Sequence, residues 1–417
     1  MWRACCSALW KAIRAGIYPK TSSSEARSRT INLPGERFHY GLANPPFGKK
    51  WEKDQKAVED EHNQKGYSGR FGPGLPRIND GSMLFLLHLA SKLEVPEKGG
   101  GRAAIVLSGS PLFNGGAGSG ESEIRRWLLE NDLVEAIIAL PTEIFFRTGI
   151  GTYLWILSNK KPENRRGKVQ LLNATGLWTS IKNEGNKRRM ISDEQTRQIA
   201  DIYSSAEEGE LNRIFDYQVF GYRRIKVLQP LRMALHVNEE TIAKLKEGKA
   251  WSKLSDVQKA AWNMALAPYV GQVKPFDWAE TFAEKAAQSD VRIGKVGKTF
   301  LKSLIEAFGV RDPEGDPVLD ANGDRVFDPE LTDYENVPLL ESVRDYFVRE
   351  VLPHVPDAWI DESFQDDKDK EIGRVGYEIN FNRFFYKFIP PRRLEEIDAE
   401  LKQVEAEIAK LLGEVTE

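Results

Sequence analysis

An alternation of amphipathic and fully apolar segments between residues 82 and 157 constrains the fold most strongly. Residues 82–93 carry apolar side chains at helical spacing, and the run Ala103–Leu107 that follows three glycines is typical of a buried strand. The pattern recurs as a helix over Glu121–Asn131 and as strands over Leu133–Leu140 and Gly151–Leu157. Such alternation of helices and strands predicts an α/β sheet.

The composition bounds the class of protein. The 417 residues are 41% hydrophobic and 29% charged, which allows about two domains with a real core. No segment approaches the roughly 20 apolar residues of a spanning helix, so we expect no membrane contact. Cys5 and Cys6 are adjacent and suit neither a disulfide framework nor a metal site, so we expect no metal and a reducing cytoplasm. The net charge of −3 means that nucleic-acid contacts need local basic patches or a partner.

Changes in composition and hydrophobic periodicity along the chain predict four segments. Residues 1–37 show no sustained period and are expected to be an atypical, disordered segment. The α/β pattern occupies residues 38–227 and predicts the main domain. A helix-rich region is expected over residues 228–375, with helices at 239–249, 291–308 and 339–351, and a tail over residues 376–417.

The tail has apolar residues at alternating spacings of three and four, which predicts a short heptad helix. These residues are Leu394, Ile397, Leu401, Val404, Ile408 and Leu411. Such a helix needs a partner. It either packs on its own domain or contacts another subunit.

The motif Asn44-Pro45-Pro46-Phe47 follows a short apolar strand, Phe38–Ala43. Ligands of open α/β sheets bind outside the carboxyl ends of strands, and the paired prolines stiffen the loop there. The Asn44 side-chain oxygen and the Pro45 carbonyl can accept the two hydrogens of an exocyclic amine and draw it toward the tetrahedral geometry that methylation needs. Phe47 can stack on a base turned out of the duplex. These four residues are therefore predicted as catalytic, against the alternative of a rigid proline turn.

Basic and glycine-rich clusters add weaker signals. Arg223, Arg224 and Lys226 either contact DNA phosphates or form a solvated face, and the same alternatives hold for Lys187–Arg189. The loop Gly116–Gly120 either contacts phosphate or is a flexible loop in which Ser119 caps the following helix. No phosphate-binding loop of the helicase type is present in the sequence.

Similarity to one known family extends well beyond the four-residue motif. The matching stretches are Asp80–Phe85, Gly109–Phe113, Gly115–Arg126, Ala136–Pro141, Thr148–Ser158, Phe220–Arg232, Val337–Pro338, Pro353–Asp361 and Gly376–Leu394. Together with Asn44–Phe47 they resemble the modification subunit of type I restriction-modification systems. The resemblance covers about residues 38–417.

The resemblance implies a site-specific methyltransferase that transfers a methyl group from S-adenosylmethionine to N6 of adenine in DNA. It implies a Rossmann-like methyltransferase sheet that includes the strand Thr152–Leu157, followed by a helical region that docks on a specificity subunit. A restriction subunit and a second modification subunit are further expected partners.

The sequence departs from the family where the cofactor binds. Family members carry a glycine-rich turn of the F-x-G-x-G kind upstream of the catalytic motif, whereas Gly16, Gly35 and Gly41 are isolated here. His39 also stands where the family has Asp. We therefore expect an N-terminally truncated sheet, through a frameshift, a wrong start or a split gene, with the missing half supplied in trans. The alternative is a catalytically inactive subunit that only docks on the specificity subunit.

Overall fold

The computed structural model describes residues 36–146, 148–184, 187–320, 322–386, 388 and 393–416, and these form two compact units. The first unit comprises the described residues up to Asn114, Trp127–Tyr217 and the described residues from Ile379 onward. The second unit comprises Gly115–Arg126 and Gln218–Glu378.

Strands and helices are numbered in chain order within the described residues. The strands are β1 (Tyr40–Ala43), β2 (Arg102–Ser108), β3 (Val134–Leu140), β4 (Thr152–Ser158), β5 (Lys168–Asn173), β6 (Thr179–Glu184), β7 (Lys187–Met190), β8 (Asn212–Asp216), β9 (Gly221–Leu228), β10 (Arg232–Val237), β11 (Gln272–Pro275), β12 (Gly309–Arg311), β13 (Asp316–Pro317), β14 (Asp333–Pro338), β15 (Trp359–Ile360) and β16 (Arg374–Tyr377). The helices are α1 (Gln55–Lys65), α2 (Ser82–Ser91), α3 (Ser110–Phe113), α4 (Gly120–Glu130), α5 (Asp193–Ser205), α6 (Glu239–Glu247), α7 (Lys249–Ser252), α8 (Asp256–Leu266), α9 (Trp278–Ser289), α10 (Lys298–Phe308), α11 (Val343–Tyr346, continued by a π-helical turn at Phe347–Val351), α12 (Phe381–Phe385) and α13 (Leu394–Thr416).

The first unit is built on a mixed six-stranded sheet in the order β1-β2-β4-β3-β5-β8. β1 pairs in parallel with β2, and β3 in parallel with β5, whereas β4 runs antiparallel to both of its neighbours. All seven residues of β3 are buried, as expected for a strand covered on both faces. The sequence prediction of a sheet that includes the strand Thr152–Leu157 is confirmed.

Helices cover both faces of this sheet. On one face, Ile199 and Tyr203 of α5 pack against the buried side chains of β2, β3, β4 and β5. On the other face, α2 approaches β1 so closely that a Cβ on Gly41 would lie 2.8 Å from Leu89 Cδ1. A side chain at this position would require Leu89 to shift.

The second unit contains two small antiparallel sheets and a helical cluster. In one sheet β9 is central, with β14 along one edge and β15 and β16 along the other. The other sheet groups β11, β12 and β13 around β10. Buried side chains of α6 to α10 form a core with Leu235 and Val237 of β10.

The structure corrects three expectations for this region. Residues 228–375 hold strands as well as the predicted helices, and β9 extends past residue 227 as the centre of a sheet of the second unit. The helix expected over residues 291–308 begins only at Lys298, because Gly294 with φ +70° and Gly297 precede it. The helix expected over residues 339–351 begins at Val343.

The predicted heptad helix is present as α13. Its apolar side chains Leu394, Leu401, Val404 and Ile408 are between 50% and 72% exposed. In the part of the chain that the structure describes, this stripe therefore lacks a covering partner. As a separate observation, every described helix is too short or too polar to cross a bilayer.

A buried ion pair fastens Gly115–Arg126 into the second unit. Arg126 Nη1 lies 2.9 Å from Asp366 Oδ2, and both side chains are about 6% exposed. Asp366 also accepts hydrogen bonds from the backbone nitrogens of Lys368 and Val375, each at 3.0 Å. Burial opposes ionisation of Asp366, yet these hydrogen bonds and Arg126 outweigh it and hold the pKa of the carboxyl below its ordinary value.

Replacing Asp366 with Asn is expected to destabilise the chain by about 3 kcal/mol at neutral pH, because the buried Arg126 would lose the carboxylate that lies 2.9 Å from it, while Glu123 lies farther away, at 3.9 Å. A carboxyl with a lowered folded-state pKa stabilises the fold above its unfolded pKa, and this stabilisation is lost as the pH falls through the folded-state value. Urea unfolding at a series of pH values measures both effects. Asp367→Asn, at an exposed neighbour, is the matched control. Equal stability of the two variants at neutral pH would contradict the assignment.

Candidate active site

Asn44 lies directly after β1, at the carboxyl end of the sheet of the first unit. Its side chain is exposed, and no hydrogen bond to it is present in the described residues. Pro45 is buried and Phe47 is half-buried, so the loop is anchored on either side of the exposed Pro46. All four predicted catalytic residues are therefore together on one short loop.

His39 lies at the opposite, amino-terminal end of β1, with its Nδ1 2.9 Å from the carbonyl oxygen of Gly100.

Backbone hydrogen bonds fix the path of this loop. Gly48 has a left-handed φ of +58°, which lets the chain turn back after Phe47. The nitrogen of Gly81 then donates to the carbonyl of Lys49 at 2.9 Å, and the nitrogen of Trp51 donates to the carbonyl of Ile78 at 3.1 Å. The buried Trp51 ring adds a bond from Nε1 to the carbonyl of Arg77 at 2.9 Å. The loop is thus closed at its far end by hydrogen bonds of Lys49 and Trp51.

A carboxylate and three serines form a network where β2 ends. Ser110 Oγ donates to Asp80 Oδ2 at 2.6 Å, and Ser82 Oγ donates to Asp80 Oδ1 at 2.6 Å. The hydroxyls of Ser108 and Ser110 lie 3.0 Å apart. Burial raises the pKa of Asp80, but the hydrogen bonds from Ser110 and Ser82 outweigh it, so the pKa lies below its usual range. Asp80 is therefore an anion with fixed geometry.

Sequence reasoning did not assign Asp80 to the site. Asp80 and Ser110 appeared only within stretches that match the family. One local signal was available, because Asp80 stands just before an apolar helix, where an acidic side chain commonly accepts from a free backbone nitrogen. It does so here from Ser82 at 3.0 Å.

An aromatic group lies beside the motif. The rings of Phe47 and Phe145 meet edge to face with centroids 6.1 Å apart. Phe145 belongs to the loop that follows β3, so this contact joins the ends of two strands. Next to it, the exposed Phe146 has Lys187 Nζ 4.7 Å from its ring centroid.

The hairpin of β6 and β7 carries the basic cluster Lys187–Arg189 to this loop. The backbone nitrogen of Arg188 donates to the carbonyl of Glu143 at 3.1 Å, and Arg189 Nη1 donates to Thr142 Oγ1 at 3.0 Å. Arg189 also lies 4.1 Å above the ring of Trp178. Lys187 and Arg189 thus each lie over an aromatic ring, and Arg189 Nε is also 3.8 Å from the Glu143 carboxylate.

The three residues predicted to contact DNA lie on β9, in the second unit. Arg223 is buried and pairs with Asp369 at 2.7 Å and Glu371 at 3.0 Å. Lys226 pairs with Asp361 at 2.9 Å. Arg224 has no ion pair in the described residues, and its guanidinium lies 4.5 Å from the ring centroid of Tyr334. The structure thus gives these neighbours different surroundings, and their contact with DNA stays a prediction.

In the described residues, neither β1 nor β2 is followed by the F-x-G-x-G turn through which a backbone approaches a nucleoside cofactor. Gly109 follows β2 but faces the ring of Tyr153. A Cβ on Gly109 would lie 3.3 Å from Tyr153 Cε2. The loop Gly116–Gly120 belongs to the second unit, where Ser119 Oγ accepts from the nitrogen of Ser122 at 3.2 Å. The predicted cap by Ser119 is therefore confirmed.

Comparisons with known proteins found similar DNA methylases. Residues 20–222 match the family model described as N-6 DNA Methylase, and the match begins inside the segment that was expected to be atypical. The chain is 30% identical over 174 residues to the type I restriction enzyme MjaIX methylase subunit from Methanocaldococcus jannaschii, which covers 42% of this chain and 29% of that protein. It is 28% identical over 186 residues to the type I restriction enzyme EcoKI methylase subunit from Escherichia coli, which covers 43% of this chain and 30% of that protein.

A solved structure belongs to the same group. The methyltransferase subunit of a type I restriction-modification system from Streptococcus thermophilus is 28% identical, with a TM-score of 0.36 over 44% of this chain and 36% of that chain. The chain spans less than a third of the length of the two curated proteins named above, at 29% and 30%. Within that span the resemblance inferred from the motifs is confirmed: the chain is a relative of the methylase subunits of type I restriction enzymes, and its residues 20–222 carry the pattern of the N-6 DNA methylase family.

Proposed function

We propose that this chain supplies the adenine-binding residues of a DNA methyltransferase that modifies adenine at N6, as the modification subunit of a type I restriction-modification complex. The observation that carries the proposal is the exposed Asn44 on a rigid loop at the carboxyl end of β1, with Phe47 beside it. The match of residues 20–222 to a family of N6 DNA methylases supports it.

In this proposal the loop prepares the amine for attack. Asn44 Oδ1 and the carbonyl oxygen of Pro45 accept the two amine hydrogens and draw the nitrogen lone pair out of the ring. In this proposal the closed backbone path between Lys49 and Gly81 and the paired prolines position the Pro45 carbonyl before substrate arrives, and the exposed Asn44 side chain turns toward the amine. Phe47, supported by the edge of Phe145, stacks on the extruded base.

S-adenosylmethionine is the methyl donor that we propose, as is general for this family. We propose that a segment that completes the sheet takes part in its binding. β1 is an edge strand of the described sheet, and the side chains of Tyr40 and Leu42 on it are 59% and 54% exposed. We propose that further strands of a Rossmann-like methyltransferase sheet pair with this edge.

The partners follow from the same reasoning. The exposed apolar stripe of α13 is suited to pack against a helix of a specificity subunit, which would select the DNA sequence. A second modification subunit and a restriction subunit would complete the complex.

Replacing Asn44 with Ala is expected to lower methyl transfer by at least about 100-fold, since it removes a preorganised acceptor used in the transition state. The measurement is a genome-wide map of N6-methyladenine in cells that carry the intact locus with this one change. Asn263→Ala, at an exposed position of α8, is the matched control and should leave the methylation map unchanged. An unchanged map for Asn44→Ala, with normal protein levels, would refute the proposed role.

Replacing Phe47 distinguishes stacking from packing. Phe47→Leu keeps an apolar contact with Phe145 but loses the aromatic face, and stacking on a base contributes about 1–3 kcal/mol. We expect about a 5- to 150-fold loss of methyl transfer for Leu and near-normal transfer for Phe47→Tyr. Thermal unfolding of both variants controls for stability. If Leu and Tyr behave alike in the transfer assay, Phe47 does not stack on the base.

An inactive docking subunit is the alternative function to be tested. This function predicts that the 417-residue chain co-purifies with a specificity subunit yet binds no S-adenosylmethionine at micromolar concentration in calorimetry. Leu401→Glu combined with Val404→Glu should abolish co-purification, whereas Lys402→Glu, on the polar side of α13, should not. Methylation by the complex in cells would exclude this candidate.

A further inference from the structure

Two arginines stand directly opposite each other on the outer face of a sheet in the second unit. Arg224 on β9 pairs in register with Arg374 on β16. Like charges at directly opposed positions destabilise a sheet. Neither arginine has a carboxylate partner in the described residues, although the neighbouring cations Arg223 and Lys226 do. The arrangement concentrates two uncompensated positive charges, which an anion would stabilise.

Aromatic rings hold both guanidinium groups in place. Arg224 lies 4.5 Å from the ring centroid of Tyr334, and Arg374 lies 5.0 Å from that of Phe364. The two rings contact each other edge to face at 5.7 Å. Cation–π contacts of this kind orient a guanidinium plane while leaving its N–H groups available for hydrogen bonds.

The glycine-rich loop lies against the same two side chains. A Cβ on Gly116 would lie 3.3 Å from Arg224 Nη1, and a Cβ on Gly118 would lie 3.5 Å from Arg374 Nη1. The loop is positioned by a hydrogen bond from the nitrogen of Ala117 to Tyr222 Oη at 3.1 Å. The two glycines let the loop backbone pack beside the guanidinium groups without a side chain between them.

The acidic side chains nearby are already engaged. Asp361 pairs with Lys226, Asp369 pairs with Arg223, and Asp366 pairs with Arg126. Glu378 lies 3.3 Å from Tyr222 Oη and raises the pKa of the buried Arg125, although desolvation dominates and brings that pKa down to about 10. None of these carboxylates is within ion-pair distance of Arg224 or Arg374 in the described residues.

We propose that Arg224 and Arg374 form a phosphate clamp that binds the backbone of duplex DNA. Guanidinium groups bind phosphate oxygens in a bidentate manner, and two groups one strand spacing apart suit a phosphodiester chain rather than a single carboxylate. The clamp adds affinity without reading sequence, because its donors face the backbone. The inference rests on the proposed function in one respect, that DNA is the substrate.

The test measures DNA affinity against salt concentration for the full chain together with the subunits that co-purify with it. Each phosphate contact contributes about 0.9 to the slope of log K against log salt. Arg224→Gln combined with Arg374→Gln should therefore reduce the slope by about 2 and weaken binding on the order of tenfold per arginine. The weakening should be equal for target and unrelated duplexes.

A matched control removes two positive charges elsewhere on the second unit. Arg344 and Lys302 are 81% and 77% exposed, and Arg344→Gln with Lys302→Gln should leave the salt slope unchanged.

Equal slopes for the wild type and the clamp variant would overturn the inference while the proposed function stands. A wild-type complex that binds no DNA would refute the proposed function itself. If inorganic phosphate stabilises the wild type against heat but not the clamp variant, while DNA affinity is equal, the site holds a small anion and the DNA clamp is refuted.

Discussion

The pairing of β4 with both β2 and β3 is the interaction on which the candidate active site depends. β4 runs antiparallel to each neighbour, and its first residue, Thr152, pairs with Ser108 on one side and Leu140 on the other. The carboxyl ends of β2 and β3 therefore lie at the same edge of the sheet. β1, parallel to β2, brings Asn44 to the same edge. Residues distant in the sequence therefore reach one place because a single buried strand sets the register of its neighbours.

Rigidity of the motif loop has several independent causes, which explains why a four-residue motif is informative. Two prolines restrict the backbone, Gly48 permits the reversal, and the contact between Lys49 and Gly81 closes the loop. A sequence pattern can predict the first two causes, because they are properties of residue types. The third involves a partner about thirty residues away along the chain, and the bond of Ser110 to Asp80 likewise spans 30 residues. Neither contact has a local signature, so the Asp80 network emerged only from the structure.

The same distinction explains which parts of the fold were predictable. β2, β3 and β4 are continuous apolar runs buried on both faces, and their bounds were predicted to within about a residue or two. The strands β9, β14 and β16 have polar residues on an exposed face and partners far away in the chain. In the local sequence, β9 is a basic cluster that follows Phe220 and Tyr222. The sheet around this strand was not predicted. Helices α10 and α11 were predicted to begin too early. The apolar pattern starts before each helix, across glycines in one case and across a turn in the other.

Successive side chains of a strand point to opposite faces, and this separates the roles of neighbouring arginines on β9. Arg223 faces the interior, where Asp369 and Glu371 neutralise it, and its hydrogen bond to Asp369 lowers the pKa of that carboxyl. Arg224 faces outward over Tyr334. A cluster that looks uniform in sequence thus divides into a structural residue and one whose charge is available to a ligand. Loss of DNA binding after a change at Arg223 would report damage to the fold, so only the outward positions can report a contact.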